Sequence, residues 1–349
     1  MTPTPTPAPT NRAAFVPSKQ SPTMHVASAP YSSPGENELT IRTRAVAINP
    51  ADHVIQKLGL LLTTYPAILG CDVAGDVVEV HPSLSSRFSV GDRVIGASTP
   101  LLLKDGVYAY SGFQQYVVLQ VPSIAHIPAH LDYKDAVVLP LGVSTAASCI
   151  FAPDILGLAM PFAGHDAGNG KALLVWGASS SVGSCGVQMA ALAGYDVVAV
   201  ASAKNHSMVK SLGANVAFDH NDATAVDDIV AFLKGKDVVG AYDAISTDST
   251  LDKVCKILDR SDAGKKVVAA VRPGAEQNAP HGVKVMVNSA SGKASVCLTI
   301  WPWLDQALET GDIKCMPQPE VVGHGLEAVQ TAVDLMGQGV SAKKLVVIM

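Results

Sequence analysis

Apolar and polar residues alternate with a period of two along the first third of the chain. Leu39 to Ile48 (LTIRTRAVAI) has this pattern, which is typical of a strand with one face exposed to water. Strands are also predicted at Gly70 to Val80 and Phe88 to Ile95, where the glycines fall at expected turns or bulges. Short strands with frequent turn signals indicate a small barrel. We therefore predict a β-rich domain from about Ala13 to Pro140.

The pattern changes after Pro140, where short apolar runs without polar alternation appear. Ala172 to Trp176 (ALLVW) is typical of a strand buried on both faces. A helix is predicted from Ser181 to Leu192 and a second buried strand from Asp196 to Ala201. Strands and helices that alternate at this spacing indicate βαβ units and a doubly wound parallel sheet, and hence an α/β fold. Further predicted elements are the helix His206 to Leu212 and the strands Val216 to Asp219, Asp237 to Ile245 and Lys266 to Val271.

The length of 349 residues suggests two domains, because one hydrophobic core rarely grows beyond about 250–300 residues. We predict a disordered tail at residues 1–12, a β-rich domain formed by 13–140 and 305–349, and an α/β domain at 141–304. The last strand, Lys344 to Ile348, has no helix after it and is therefore assigned to the β-rich domain. Residues 152–170 are expected to form a Gly/Pro-rich surface insertion.

Composition narrows the class of protein. Hydrophobic residues make up 48% of the chain and charged residues 16%, which indicates a folded globular protein. The net charge of −5 argues against a nucleic-acid partner or an anionic membrane, since both favour a basic face. No run of about 18 residues lacks both charges and turn breakers, so no membrane span is expected. The six cysteines form no CxxC pair, and the N-terminal Thr-Pro repeat has no signal-peptide core, which together predict a cytoplasmic protein with reduced thiols.

The segment from Val175 to Gly183 (VWGASSSVG) says most about function. It follows a buried strand and opens a helix, which is the context that a dinucleotide-binding loop requires. Gly177 permits a tight turn, and Gly183 permits close packing of the helix on the sheet. The backbone amides and the positive helix end at Ser179 to Ser181 favour a pyrophosphate. An ordinary turn with a serine N-cap is the alternative, and the buried strand that follows favours cofactor binding.

The residues after the second strand of the α/β domain indicate which cofactor binds. A NAD site places Asp or Glu about 20 residues after the loop, where the acid holds the ribose hydroxyls. Here this place reads Ala201 to His206 (ASAKNH), which contains no acid. Ser202 and Lys204 suit a 2′-phosphate, which an acid would repel. We therefore predict NADPH, and a solvated surface lysine is the alternative interpretation of Lys204.

Seven short motifs carry information about the family. They are VAINPAD at Val46 to Asp52, GCDVAGDVV at Gly70 to Val78, VGDRV at Val90 to Val94, LPLGVSTA at Leu139 to Ala146, the loop Gly177 to Gly183, LGA at Leu212 to Ala214 and KKLV at Lys343 to Val346. From about Ala13 onward the chain resembles the zinc-free, quinone-oxidoreductase-like branch of the medium-chain dehydrogenase/reductase superfamily. INPAD, the insertion and KLV are most similar to fungal trans-acting enoyl reductases, which partner polyketide synthases.

The resemblance implies a GroES-like catalytic domain and a Rossmann domain, with the cofactor in the cleft between them. The segment after INP is implied to lie over the nicotinamide. The implied cofactor-binding residues are Ala51, Asp52, His53, Val54, Ser179, Ser180, Ser181, Val182, Ser202, Ala203, Lys204, Asn205, His220, Ala269, Ala270, Lys343 and Lys344. The implied substrate-lining residues are Pro140, Leu141, Gly142, Val143, Ser144, Thr145, Ala146 and Ala147, with Thr145 near the nicotinamide.

The chain departs from the zinc alcohol dehydrogenases of this superfamily. The places of their catalytic zinc ligands read Pro50-Ala51 and Gly70-Cys71-Asp72 here. No cysteine lies between Cys71 and Cys149, so the four-cysteine cluster of a structural zinc is missing from the sequence. A lone cysteine is typical of a buried small hydrophobe. We therefore predict no metal site.

Without zinc to polarise a carbonyl, conjugate reduction is favoured over alcohol oxidation. Hydride would pass from NADPH to the β-carbon of an α,β-unsaturated carbonyl or thioester, and the enolate would then be protonated. His53 and Thr145 are the candidate catalytic residues; His53 is the candidate proton donor, and water is the alternative donor. Three functions stay open: a trans-acting enoyl reductase of a polyketide pathway, a free-standing quinone or enone reductase, and a low-turnover NADPH-binding partner of a synthase.

Overall fold

The computed structural model describes residues 9–98, 106–162, 168–261, 263–287 and 290–349. Residues 1–8 of the predicted tail and 163–167 of the predicted insertion lie outside them. The strands of the described residues are β1 (Asn11–Val16), β2 (His25–Ala29), β3 (Glu38–Ala47), β4 (Ala67–Ile68), β5 (Asp72–Val80), β6 (Arg93–Ala97), β7 (Tyr116–Gln120), β8 (Ile124–His126), β9 (Lys171–Trp176), β10 (Asp196–Ala201), β11 (Val216–Asp219), β12 (Asp237–Asp243), β13 (Val267–Ala270), β14 (Lys284–Val287), β15 (Gln318–His324) and β16 (Lys343–Ile348). The helices are α1 (Pro50–Leu58), α2 (Tyr133–Ala136), α3 (Pro140–Phe151), α4 (Ser181–Leu192), α5 (His206–Ser211), α6 (Ala225–Leu233), α7 (Asp248–Arg260), α8 (Ala290–Thr310) and α9 (Val329–Gly337).

The first compact unit consists of Met1–Pro140, Pro319–Val340 and Lys344–Met349. Its larger sheet has the order β15-β16-β3-β5-β6-β8, and β7 also pairs with β3. A smaller sheet has the order β2-β1-β4. β16 pairs antiparallel with β3, with Val346 opposite Ala47. The predicted β-rich character and the return of the last strand are therefore confirmed.

β3 is buried more completely than its alternating pattern predicts. Thr40, on the face expected to meet water, is only 1% exposed, whereas Arg42 on the same face is exposed. β3 is a central strand that pairs with β5, β7 and β16. A buried threonine therefore gives this central strand the same sequence pattern as a strand with one face exposed to water.

The second unit consists of Leu141–Gln318 and Ser341–Lys343. Its six-stranded sheet has the order β11-β10-β9-β12-β13-β14, and its strands pair in parallel. The order reverses direction at β9, next to which β10 and β12 lie on opposite sides. The prediction of a doubly wound Rossmann sheet is therefore confirmed, although α6, α7 and β14 were not predicted.

The second unit extends further along the chain than the sequence suggested. The proposed return to the β-rich domain was at residue 305, which falls inside α8. α8 continues past Pro302 to Thr310, because Ile300, Trp301 and Leu304 are fully buried on it. The chain leaves this unit only after Gln318.

One helical stretch of the described residues, Tyr133–Phe151, is long and apolar enough to cross a membrane by length and composition. Most of it is buried inside the protein, as is usual for a core helix.

Candidate cofactor-binding site

The turn between β9 and α4 has the geometry of a phosphate-binding loop. β9 ends at Trp176, and Gly177 adopts a left-handed backbone conformation with φ 73°. A Cβ atom there would lie 2.5 Å from Cγ1 of Ile245, so both conformation and space require glycine. α4 begins at Ser181, and its first backbone amides carry the positive end of the helix dipole. The turn therefore offers an anion site at the carboxyl edge of the parallel sheet.

Gly183 brings the first turn of α4 against this loop. A Cβ atom on Gly183 would lie 2.2 Å from the carbonyl oxygen of Gly177. Ser180 is the N-cap of α4, and its Oγ accepts a hydrogen bond from the backbone N–H of Gly183 at 3.1 Å. The serine cap considered from the sequence is thus present, and the close backbone approach that suits a pyrophosphate is present around it. The other loop residues of the candidate site are half-buried: Ser179, Ser181 and Val182.

Ser202 and His220 meet at the carboxyl ends of two neighbouring strands. β10 and β11 pair in parallel, with Ala201 opposite Asp219, and Ser202 and His220 follow these residues. The distance between Ser202 Oγ and His220 Nε2 is 3.0 Å. Lys204 is exposed in the turn between β10 and α5. Residues chosen for a 2′-phosphate site are therefore gathered at one edge of the sheet.

Asn205 connects this edge to the phosphate-binding loop. Its Nδ2 donates to Ser179 Oγ at 3.1 Å and to Ser341 Oγ at 3.3 Å. The side chain is 8% exposed. Both amide hydrogens of Asn205 therefore bond to other segments of the protein. We assign Asn205 to the support of the site rather than to direct contact with a ligand. Its neighbour Ala203 is exposed.

Asp219 is an acid that the sequence analysis did not consider. Its carboxylate accepts a hydrogen bond from the backbone N–H of Asn221 at 2.9 Å. That bond, and a weaker one from the backbone of Ala203, keep the pKa of Asp219 below its ordinary value. A NAD site is recognised in sequence by an acid directly after the second strand, here β10, whereas strand pairing brings Asp219 of the neighbouring β11 beside these residues. Spacing along one strand does not reveal such a neighbour.

The carboxyl ends of β12 and β13 are held together by a serine. The Oγ of Ser246 donates to the Asp243 carbonyl oxygen at 2.7 Å and accepts from the Val271 N–H at 2.9 Å. Burial raises the pKa of Asp243, against the effect of its hydrogen bonds. Ala269 and Ala270 are fully buried, so neither residue offers exposed surface to a ligand. Sequence reasoning missed Ser246, because no motif marks it.

α3 places most of the predicted substrate-lining residues in the core. Ser144 is 1% exposed, and its Oγ accepts a hydrogen bond from Trp301 Nε1 at 3.2 Å. A Cβ on Gly142 would lie 2.9 Å from Cys185 Sγ, so Gly142 packs against α4. Only Leu141 and Thr145 keep partial exposure, and they lie on one helix face at i and i+4. The remaining members of this set are buried: Pro140, Val143, Ala146 and Ala147.

His53 packs against α9, which does not support its predicted role as proton donor. Its Nδ1 lies 3.1 Å from the carbonyl oxygen of Val333, which can only accept a hydrogen bond, so Nδ1 carries the proton. A Cβ on Gly337 would lie 2.1 Å from Cε1 of the ring. The adjoining candidates differ in exposure: Ala51 is half-buried, and Val54 is 40% exposed.

Asp52 and Lys344 are buried, which contradicts the idea that their side chains contact a cofactor. Each is 2% exposed. Asp52 Oδ2 accepts the backbone N–H of Asn49 at 2.8 Å, and Oδ1 accepts that of Gly70 at 3.2 Å. Lys344 Nζ lies 2.8 Å from Asp72 Oδ2. Alternation along β16 leaves Lys343 exposed and turns Lys344 inward, where charged groups need partners.

Comparisons with known proteins agree with this architecture. The alcohol dehydrogenase GroES-like domain matches residues 35–129, and the zinc-binding dehydrogenase family matches residues 181–309. Dehydrogenase orf1 of Aspergillus niger is 40% identical over 97% of this chain and 99% of that protein. Trans-enoyl reductase himH of Aspergillus japonicus is 36% identical over 97% of each chain. The solved structure of the CurK enoyl reductase has a TM-score of 0.76 at 20% identity, covers 97% of this chain and 99% of that one, and shows the shared fold.

The GroES-like unit, the parallel sheet and its glycine-lined turn define an oxidoreductase that works with a nicotinamide cofactor. The chain belongs to the medium-chain dehydrogenase/reductase superfamily, in the branch of the fungal dehydrogenases and trans-enoyl reductases.

Proposed function

We propose that this chain is an NADPH-dependent reductase that transfers hydride to the β-carbon of an α,β-unsaturated carbonyl or thioester in fungal secondary metabolism. The observation that carries the proposal is the turn Gly177–Gly183 at the N-terminus of α4, where an added Cβ would come within 2.2 Å of the backbone. The names of the relatives, dehydrogenase and trans-enoyl reductase, support the class of reaction.

NADPH is favoured over NADH by the groups beyond β10, where the carboxylate of the neighbouring Asp219 is occupied by hydrogen bonds from the backbone of Asn221 and Ala203. The Ser202 hydroxyl and the His220 imidazole share a hydrogen bond at 3.0 Å, and in either tautomer of His220 one O–H or N–H of the pair remains to donate to a phosphate. Lys204 is exposed and adds a positive charge to the same turn. Each hydrogen bond to a charged group contributes about 1.5–3 kcal/mol, which corresponds to roughly tenfold or more in affinity.

The cofactor preference is tested by calorimetric titration of the purified protein with NADPH and NADH. We expect Lys204→Ala to weaken NADPH binding about tenfold and to leave NADH binding unchanged. Lys210→Ala on α5, which removes another exposed lysine of the same unit, serves as the matched control. Equal affinities of the wild-type protein for the two cofactors contradict the proposal.

The bound nicotinamide supplies the hydride. Leu141 and Thr145 are the members of the α3 set with exposed surface, and we assign to the Thr145 hydroxyl the donation of a hydrogen bond to the substrate carbonyl oxygen. Charge that develops on this oxygen is stabilised most where water is excluded. Because the His53 ring is bonded to α9, the proton that reaches the α-carbon is assigned to water.

The reaction is proposed to proceed without zinc, although one matching family model is described as zinc-binding. Cys71 stands where zinc relatives have a ligand histidine, and the neighbouring Asp72 is paired with Lys344. Within the described ranges, no three His, Cys, Asp or Glu side chains are grouped so that they could hold a metal ion. Turnover is expected to persist after treatment with a chelator. Stoichiometric zinc in protein purified without chelator would contradict this part.

The partner is proposed to be a polyketide synthase in the cytoplasm, which presents the unsaturated chain on a carrier. The name of the himH relative, a trans-enoyl reductase, supports this assignment. Carrier-bound and free enones are to be compared as substrates. Equal turnover of free enones without a partner identifies a free-standing quinone or enone reductase. Tight NADPH binding without turnover on any acceptor identifies a low-turnover binding partner of the synthase.

A further inference from the structure

A buried network of charged and amide side chains lies at the start of α1. Lys344 Nζ lies 2.8 Å from Asp72 Oδ2 and donates to Asn49 Oδ1 at 2.6 Å. Asn49 Nδ2 donates in turn to Asp72 Oδ2 at 3.0 Å, which closes a ring of three side chains. The side chains of Lys344 and Asp72 are 2% and 0% exposed. Because water is excluded, the charges of this ion pair are stabilised by each other and by their hydrogen bonds.

The three side chains of the ring come from three elements. Asn49 is the N-cap of α1, Asp72 begins β5, and Lys344 lies near the start of β16. Asp52, one turn into α1, is joined to the same residues, because its carboxylate accepts the backbone N–H of Asn49 at 2.8 Å and that of Gly70 at 3.2 Å. The first turn of α1 is thereby tied to the last strand of the chain.

We propose that Lys344, Asp72 and Asn49 form an internal positioning centre, through which β16 holds the first turn of α1 in its working geometry. That turn contains Ala51, Asp52 and His53, the segment that the family resemblance sets over the nicotinamide. Lys344 thus acts as a positioning residue and not as a cofactor ligand. The inference rests on the proposed function, since its consequence for turnover requires that α1 shapes the reaction site.

The variant that isolates this role combines Lys344→Met with Asp72→Asn. Each single change leaves a buried group without its charged partner and lowers stability, so turnover is compared in the double variant, and the single variants are used only for titration under conditions in which they stay folded. The double variant is neutral and close in volume, so it is expected to fold. Lys57→Met is the matched control, because Lys57 lies in the last turn of the same helix and its ion pair with Asp334 of α9 lies outside the network.

We expect the double variant to bind NADPH as the wild type does, because the phosphate-binding loop belongs to the other unit. Its kcat is expected to fall by about 10²-fold, the loss that a misplacement of about 1 Å can cause. Hydrogen exchange of the Asp52 and Gly70 amides is expected to accelerate, whereas Lys57→Met changes neither quantity. A kcat within about threefold of wild type in the folded double variant overturns the proposal.

A titration of the Asp52 carboxyl by NMR tests whether the charges of the positioning centre act on the first turn of α1. Lys344 favours the ionised form of Asp52, and Asp72 opposes it. The pKa of Asp52 should therefore rise in Lys344→Met, fall in Asp72→Asn and return toward the wild-type value in the double variant.

These outcomes separate failure of the inference from failure of the proposed function. If the wild type turns over no enone, the proposed function fails, while amide exchange and the Asp52 titration still test the positioning centre. Unchanged exchange in the double variant, or an Asp52 titration insensitive to Lys344, overturns the inference whatever the reaction is.

Discussion

Replacing Gly183 with alanine should disrupt the phosphate-binding loop directly. The new Cβ would lie 2.2 Å from the carbonyl oxygen of Gly177 and 2.9 Å from Ser180 Oγ, whereas ordinary contact begins at 3.4 Å. The loop or the helix must therefore move by roughly 1 Å, because neither obstacle is the flexible end of a long side chain. A displacement of this size breaks at least one hydrogen bond from the loop to the charged pyrophosphate, about 1.5–3 kcal/mol, and so lowers affinity for the cofactor by roughly tenfold or more. The crowding costs about 1–3 kcal/mol of folding stability.

Calorimetric titration with NADPH and chemical denaturation measure the two effects separately. Gly264→Ala is the matched control, because no atom lies within 4 Å of a Cβ added there and the residue belongs to the same unit. It is expected to change neither affinity nor stability appreciably. If Gly183→Ala binds NADPH within about threefold of the wild-type affinity, the loop does not form the pyrophosphate site, and the reasoning from backbone approach is wrong.

Three further changes test the roles of buried and half-buried polar groups. His53→Ala removes the hydrogen bond to the Val333 carbonyl oxygen, so it should cost about 0.5–1.5 kcal/mol in denaturation and leave turnover almost unchanged; a turnover loss beyond about tenfold would restore His53 as the proton donor. Burial raises the pKa of Asp52 to about 7, so the folded protein keeps a proton that the unfolded chain releases near pH 4. Its contribution to stability is therefore fully present below about pH 4 and lost as the pH rises through about 7; Asp52→Asn should flatten this part of the pH–stability curve, and an unchanged slope would contradict the assigned pKa. Ser144→Ala leaves Trp301 Nε1 buried without its acceptor, which should lower the free energy of unfolding by about 1–3 kcal/mol, and a variant as stable as wild type would rule out that bond.

Much of the fold could be predicted, because local periodicity reports burial. The apolar run ALLVW became β9, a central strand of the parallel sheet, and its glycine-marked end became the turn before α4. The alternating run LTIRTRAVAI became β3. The boundary at residue 305 did not agree with the structure, because α8 continues through Pro302 with buried side chains around it. A proline in a sequence does not show whether tertiary packing compensates the lost hydrogen bond.

The residues of the candidate site likewise divide into those that the sequence revealed and those that only the structure revealed. Gly177 and Gly183 were found from the sequence, because a turn that needs a left-handed residue and a close backbone approach restricts those positions to glycine. Ser202 and Lys204 were found from the spacing after one strand. Asp219 was missed, because it reaches the site through the pairing of β11 with β10, and pairing is not a local property.

The sequence by itself determined the two kinds of sheet, the glycine turn and the family, because these depend on periodicity and on residues that only one local geometry permits. Tertiary structure alone decided which polar side chains face a ligand. His53, Asp52 and Lys344 occur in family motifs that suggested contact with the cofactor, yet the ring packs on α9 and the two charged groups are buried. The physical reason is that a buried charged or polar group needs a hydrogen-bond partner close in space. That partner can be distant in sequence: Lys344 and Asn49 are 295 residues apart along the chain.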